Sequence, residues 1–141
     1  MRNIKYIILH CTAGGQLQKT RDIQNYWRNE LGWKNPGYHY IINADGTVEI
    51  LLSIEKISNG VAGFNSESIN ISYKGGIDAK GKAVDNRTPQ QIASQIKLVK
   101  ELRGKFPKAK VRGHRDFPNV TKSCPSFDVK NWCKSVGIDP L

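Results

Sequence analysis

A nearly continuous apolar run from Ile4 to Leu9 has the pattern of a strand buried on both faces. Thr20 is placed to cap a helix reaching about Leu31, in which Ile23, Tyr26, Trp27 and Leu31 share one face, with Gly32 as its stop. "YHYIINADGTVEILL" then reads as a hairpin turning at Asp45-Gly46, and "SINISYKGG" as another strand ending at Gly75-Gly76. Thr88-Pro89-Gln90-Gln91 is a capping box with proline at the first helical position. The helix it opens carries Ile92, Ile96, Val99 and Leu102, with Gly104 to close it. "AKVRGH" predicts a short strand that delivers His114 to its end, and Ser126 is placed to cap a last helix ending at Gly137. The order strand, helix, hairpin, strand, helix, strand, helix predicts an α/β fold, a central mixed β-sheet flanked by helices.

The chain has 141 residues, enough for one domain to bury about two-thirds of its unfolded surface without staples. No repeat or linker divides it, so residues 1–141 are expected to form a single domain. Hydrophobic content of 38% and charged content of 24% place it among soluble globular proteins, and no apolar run approaches the ~20 residues of a membrane span. The start, "MRNIKYIILHCTAGG", has a basic residue and a short apolar run but no export cleavage site. Synthesis in the cytoplasm without a leader is the expectation.

Charge changes the picture. Of 22 Lys/Arg and 12 Asp/Glu, residues 1–70 hold seven and six, leaving fifteen and six for residues 71–141. Such asymmetry favours a polyanionic partner such as a nucleic acid, an anionic wall or a membrane surface. Zinc-finger spacing, a ribonucleoprotein aromatic motif and a heptad-linked basic region are all missing, so nucleic acid is not expected.

Three cysteines cannot all pair within one chain, which weakens a disulfide reading. Cys133 falls on a stripe with Val129, Trp132 and Val136, the place of a buried core residue. His10 and Cys11 are adjacent on a strand and so point to opposite faces, with His10 at the strand end where binding groups gather. A hydrogen-bonded structural histidine is an equally good reading of His10, and the better one for His39. If Tyr38 and Tyr40 face one side of their strand, His39 faces the other. Cys124 lies in a loop before Pro125 with no apolar periodicity, ten residues after His114 in "GHRDFPNVTKSCPSFD". The pair fits either a zinc site or a Cys-His nucleophilic couple. Adding His10 makes a three-ligand site possible.

"IILHCTAG", "GWKNPGYHYIINADGTV", "SINISYKGGID", the Thr-Pro-Gln-Gln helix and "GHRDF…KSCPSFD" occur in this order. Together they resemble the zinc-dependent N-acetylmuramoyl-L-alanine amidases of the type 2 class, with particular likeness to the small amidase lysozymes of T-odd phages. These share a fold with peptidoglycan recognition proteins, and the likeness runs from about Ile4 to Trp132. It implies zinc, one ion per chain, held by His10, His114 and Cys124, with Pro125 helping to fix the cysteine's loop. Tyr38 of "GYHY" and Lys122 of "KSCP" match the tyrosine and lysine beside the metal.

The implied reaction cuts the amide between the lactyl group of N-acetylmuramic acid and the first L-alanine of the stem peptide in bacterial peptidoglycan. Such a cut asks for a Lewis acid on the carbonyl and for positive or hydrogen-donating groups at the oxyanion. The implied setting is a phage or prophage endolysin, a monomer acting on the wall after release or on wall fragments, without membrane insertion. A metal-free Cys-His hydrolase and a non-catalytic peptidoglycan-binding module of the same fold are the competing readings. The module usually lacks the cysteine ligand, which is present here. Two positions depart from the family pattern. Gly60 stands where relatives often have a histidine, and Asn70 replaces the glycine of "SIGI". The groove contact made by that histidine is therefore not expected to be shared.

Overall fold

A computed structural model describes residues 2–141. Five strands form one mixed sheet: β1 (Tyr6–Cys11), β2 (Tyr40–Ile42), β3 (Val48–Ile50), β4 (Ser68–Tyr73) and β5 (Lys110–Gly113), in the order β3-β2-β4-β1-β5. All neighbouring pairs are parallel except β2 with β3, the two arms of the expected hairpin. Three helices complete the chain, α1 (Thr20–Asn25), α2 (Pro89–Lys105) and α3 (Val129–Ser135). The α/β architecture expected from the order of elements is the one observed.

Alternation along β1 and β4 decides what each face does. Ile7, Leu9 and Cys11 of β1 join Ile69, Ile71 and Tyr73 of β4 in the main core, which Leu98, Val99 and Leu102 of α2 and Val129 and Cys133 of α3 cover. Cys133 is fully buried there, as its stripe implies. The other face carries Tyr6, Ile8 and His10 from β1 and Ser68, Asn70 and Ser72 from β4. Smaller clusters cover it: Ile8 with Val61 and Phe117, and Ile41 with Ile23 and Trp27 from α1 and the turn after it. Three polar residues in a strand with both faces buried mark this side as more than packing.

The helix ends differ from expectation in instructive ways. Thr20 is the first helical residue rather than the cap, because its hydroxyl is drawn to Glu49 instead of to its own helix. After Asn25 the backbone widens into a π-type turn, Tyr26–Glu30, and Gly32 at φ +69° ends it. Along this segment Trp27 is buried, while Tyr26 and Leu31, expected on the same apolar face, are exposed. Thr88 makes the full capping box expected of it, with Pro89 opening α2. Gly104 does not stop that helix, which continues to Lys105. Ser126 is not a cap: its backbone sits at φ +71° and its hydroxyl donates to the Gly76 carbonyl. Asp128 caps α3 instead, accepting from the Asn131 amide.

Candidate metal centre

Parallel pairing of β1 with β5 matches Leu9 to Gly113, so the next residues, His10 and His114, become neighbours. Their rings lie 4.9 Å apart, centroid to centroid. Cys124 arrives from the loop between β5 and α3. Its sulfur accepts the Cys11 backbone N–H at 3.1 Å and lies 4.0 Å from His10 Nδ1. One donor atom each from His10, His114 and Cys124 lies within 4.8 Å of the others.

The loop carrying Cys124 is tied down on several sides. Arg115 N–H donates to the Cys124 carbonyl at 2.8 Å, and the buried Tyr73 hydroxyl donates to the Pro125 carbonyl at 2.6 Å. Pro125 also packs against Gly113, where an added Cβ would come within 2.8 Å of the proline ring and 3.0 Å of Val129. A glycine at the end of β5 is thus what lets the cysteine loop close over the sheet.

Burial, helped by the facing His114 ring, brings the His10 imidazole down to about 3. Burial and then the Lys122 charge lower His114 as well. Both rings are therefore neutral near pH 7, the form that ligates a metal. The adjoining Cys11 thiol and burial push the Cys124 thiol well above the ordinary range. A metal-free nucleophile needs the opposite shift, whereas a bound cation would itself draw off the proton and hold the sulfur as thiolate. Two neutral imidazoles and a cysteine sulfur able to give a thiolate, gathered in a partly dry pocket, suit a divalent cation with metal–ligand bonds of about 2.0–2.3 Å. That donor set fits zinc, a borderline-soft ion that accepts nitrogen and sulfur together.

Tyr38 and Lys122 border the same cleft. The Tyr38 ring stands 5.2 Å from the His10 ring and edge-on to Trp27 at 5.3 Å. Its hydroxyl points to the Cys11 carbonyl at 3.3 Å. Burial raises the phenol above its usual range, with the Cys124 sulfur adding to the shift, so the hydroxyl keeps its proton. Lys122 is exposed at the rim. Tyr38 and Tyr40 do not share a side: Tyr38 packs with Trp27 and Ile41, and Tyr40 with the main core. Strand β2 begins only at Tyr40, so strict alternation does not reach back to Tyr38. His39 has the structural role expected of it, its Nδ1 accepting from the Asn70 N–H at 3.0 Å and its Nε2 lying 2.7 Å from the Lys56 carbonyl.

The cleft has a volume of about 660 Å³ and continues into a second one of about 760 Å³. Trp33, Asn59, Gly60, His114 and Lys122 line both. Tyr26 and Leu31, exposed rather than buried in the core, form part of the first wall. A long, partly apolar groove with the three donors in its floor suits an extended polymer better than a small metabolite. Sequence reasoning missed these wall residues, since an apolar residue exposed in a groove has the same periodicity as one in a core.

The family described as N-acetylmuramoyl-L-alanine amidase matches residues 1–127. The endolysin of Enterobacteria phage K11 is 41% identical over 129 residues, covering 90% of this chain and 83% of the relative. Among solved structures, the Ph2119 endolysin from Thermus scotoductus MAT2119 bacteriophage Ph2119 superposes with a TM-score of 0.82 at 27% identity, over 99% of this chain and 88% of the other. Drosophila PGRP-LB superposes at 0.78 with 21% identity, over 96% and 82%, a likeness of fold alone.

Proposed function

The chain belongs to the N-acetylmuramoyl-L-alanine amidase family and is a peptidoglycan amidase, and from this premise we propose that it works with one zinc ion held by His10, His114 and Cys124. The convergence of those three donors in the floor of the groove is the observation that carries the reading. When bound, zinc supplies Lewis acidity, polarising the scissile carbonyl and lowering the pKa of water toward ~7. The rest of the work falls to the protein. The groove positions the glycan–peptide junction so that the lactyl–alanine amide lies over the three donors. Tyr38, held protonated, donates its hydroxyl toward the oxyanion that develops at the scissile carbonyl, and Lys122 supplies positive charge on the same side.

Residues 1–141 act as one catalytic domain in this reading, as a monomer on the bacterial wall. The fifteen Lys/Arg of residues 71–141 help it hold that anionic polymer, with an attachment that weakens as salt rises. Among the described residues no helix is long and apolar enough to cross a membrane.

Metal analysis of the purified chain tests the centre directly. We expect one zinc per chain, removed by a strong chelator together with the activity and restored by added zinc. Full activity in the stripped protein, lost on alkylation of Cys124, would favour the metal-free Cys-His reading instead.

A further inference from the structure

The two departures from the family pattern, Gly60 and Asn70, meet in space. A Cβ built on Gly60 would lie 2.2 Å from Asn70 Oδ1 and 2.3 Å from its Cγ, so any larger residue at 60 collides with the asparagine. Asn70 is fully buried, and its Oδ1 lies 2.7 Å from His10 Nε2. In the parallel register Asn70 stands opposite Ile8, two residues before His10 on the same face of the sheet.

Its other contacts leave no polar atom idle. Asn70 Nδ2 donates to Ser58 Oγ at 2.7 Å, and the Ser58 hydroxyl lies 3.1 Å from His39 Nδ1. The Asn70 backbone N–H donates to that same nitrogen, and His39 Nε2 donates to the Lys56 carbonyl. Ser58 and His39 are fully buried too. The chain of bonds runs in one direction, from His10 through Asn70 and Ser58 to His39. Each link fixes the proton arrangement of the next.

Resting on the metal-centre reading above, we propose that Asn70 is a positioning residue for the metal. Its side-chain carbonyl accepts the His10 Nε2 proton, which leaves Nδ1, the nitrogen facing Cys124, as the free donor, and Gly60 supplies the space in which the asparagine stands. A neutral imidazole carries one ring proton. With a buried acceptor at Nε2, the proton stays there and Nδ1 keeps its lone pair for the ion. Without that acceptor, the proton is free to move to Nδ1, where it blocks ligation. The ring also loses the contact that sets its angle. Gly60 and Asn70 thus form one steric pair.

Zinc titration against a competing chromophoric chelator tests this, with cobalt(II) absorption as a second probe of the ligand field. Asn70→Ala is expected to bind zinc about 10- to 100-fold more weakly than the wild type, the usual loss when a ligand's hydrogen-bond partner is removed. Asn70→Asp keeps an acceptor at the same place and should bind close to the wild type. The double variant Gly60→Ala with Asn70→Gly avoids the collision that Gly60→Ala alone creates, so it should be more stable than Gly60→Ala while its zinc affinity stays low. Histidine nitrogen chemical shifts in the zinc-free protein should show His10 neutral with its proton on Nε2 in the wild type, and a mixture of the two neutral tautomers in Asn70→Ala. Wild-type affinity in Asn70→Ala, or a loss in Asn70→Asp as large as in Asn70→Ala, would overturn the positioning role. If Asn70→Ala fails to fold, the double variant decides: wild-type affinity there overturns the proposal. A wild-type chain that binds no zinc overturns the metal centre itself, and the positioning role with it.

Discussion

Replacing Cys124 with alanine is expected to remove zinc and to lower peptidoglycan hydrolysis by at least about a thousandfold, because Lewis-acid stabilisation is worth several kcal/mol and each 1.36 kcal/mol is tenfold in rate. The protein should still fold. What holds the loop is its backbone, through Arg115 N–H on the Cys124 carbonyl and the Tyr73 hydroxyl on the Pro125 carbonyl. Neither contact uses the cysteine sulfur. The sulfur itself accepts the Cys11 amide and faces the two imidazoles, while the residue packs against the edge of the main core. Alanine at Cys133 offers the contrast. That thiol is buried among Val129, Ile138 and the α2 face, so its loss should cost stability and leave the zinc content unchanged. Metal analysis and melting curves of the two variants check both halves of the expectation.

The second large effect is expected at the groove side of the centre. Tyr38→Phe and Lys122→Ala should each lower kcat by about 100- to 1000-fold, the range seen when one oxyanion donor is removed from a hydrolase. Zinc content should stay at one per chain in both, which separates them from the ligand variants. Tyr38→Phe keeps the ring against His10 and Trp27 and loses only the hydroxyl's long bond to the Cys11 carbonyl, so its stability should fall by about 1 kcal/mol at most. Lys122 sits at the exposed rim, and truncating it removes charge from the site without opening a cavity. Steady-state rates on soluble muropeptides, read beside metal content, check these outcomes. A fall in KM-controlled binding with unchanged kcat would place Lys122 in substrate capture instead.

The likeness to the family named these three donors in the sequence, and the structure adds the topological reason that they meet. His10 lies near the end of a buried apolar strand, and His114 follows β5, a short strand in which Val111 is buried and Lys110 and Arg112 are not, so pairing those strands in parallel is enough to bring the two together. Cys124 stood out because its loop has no apolar period, whereas Cys133 fell on a clear helical stripe. The helix caps were harder. Ser126 and Asp128 are both good cap residues two positions apart, and the choice between them was made by the Gly76 carbonyl, fifty residues away in the chain. Burial on α2 also escaped the hydrophobic pattern. Gln91 is completely buried because its amide donates to the carbonyls of Ile42 and Lys74, at and just beyond the ends of β2 and β4. Polar satisfaction of this kind leaves no period to read.

Gly60 and Asn70 show the same limit most clearly. Each could be noticed singly as a departure, but ten residues of sequence give no hint that one supplies the space for the other. Only the close approach of the loop around Gly60 to β4 links them. An asparagine in the middle of a doubly buried strand was nonetheless a usable signal, since a fully buried amide requires partners on both ends. Its partners turned out to be a proposed metal ligand and a structural hydrogen-bond chain.

The central claim is best tested by digesting purified peptidoglycan with the chain and identifying the soluble products by mass spectrometry. Free stem peptides that begin with L-alanine, released by the zinc-loaded wild type and absent with chelator or with Cys124→Ala, are the predicted result. Uncut glycan–peptide junctions after incubation with the fully zinc-loaded wild type would contradict it, and the binding-module reading would take its place.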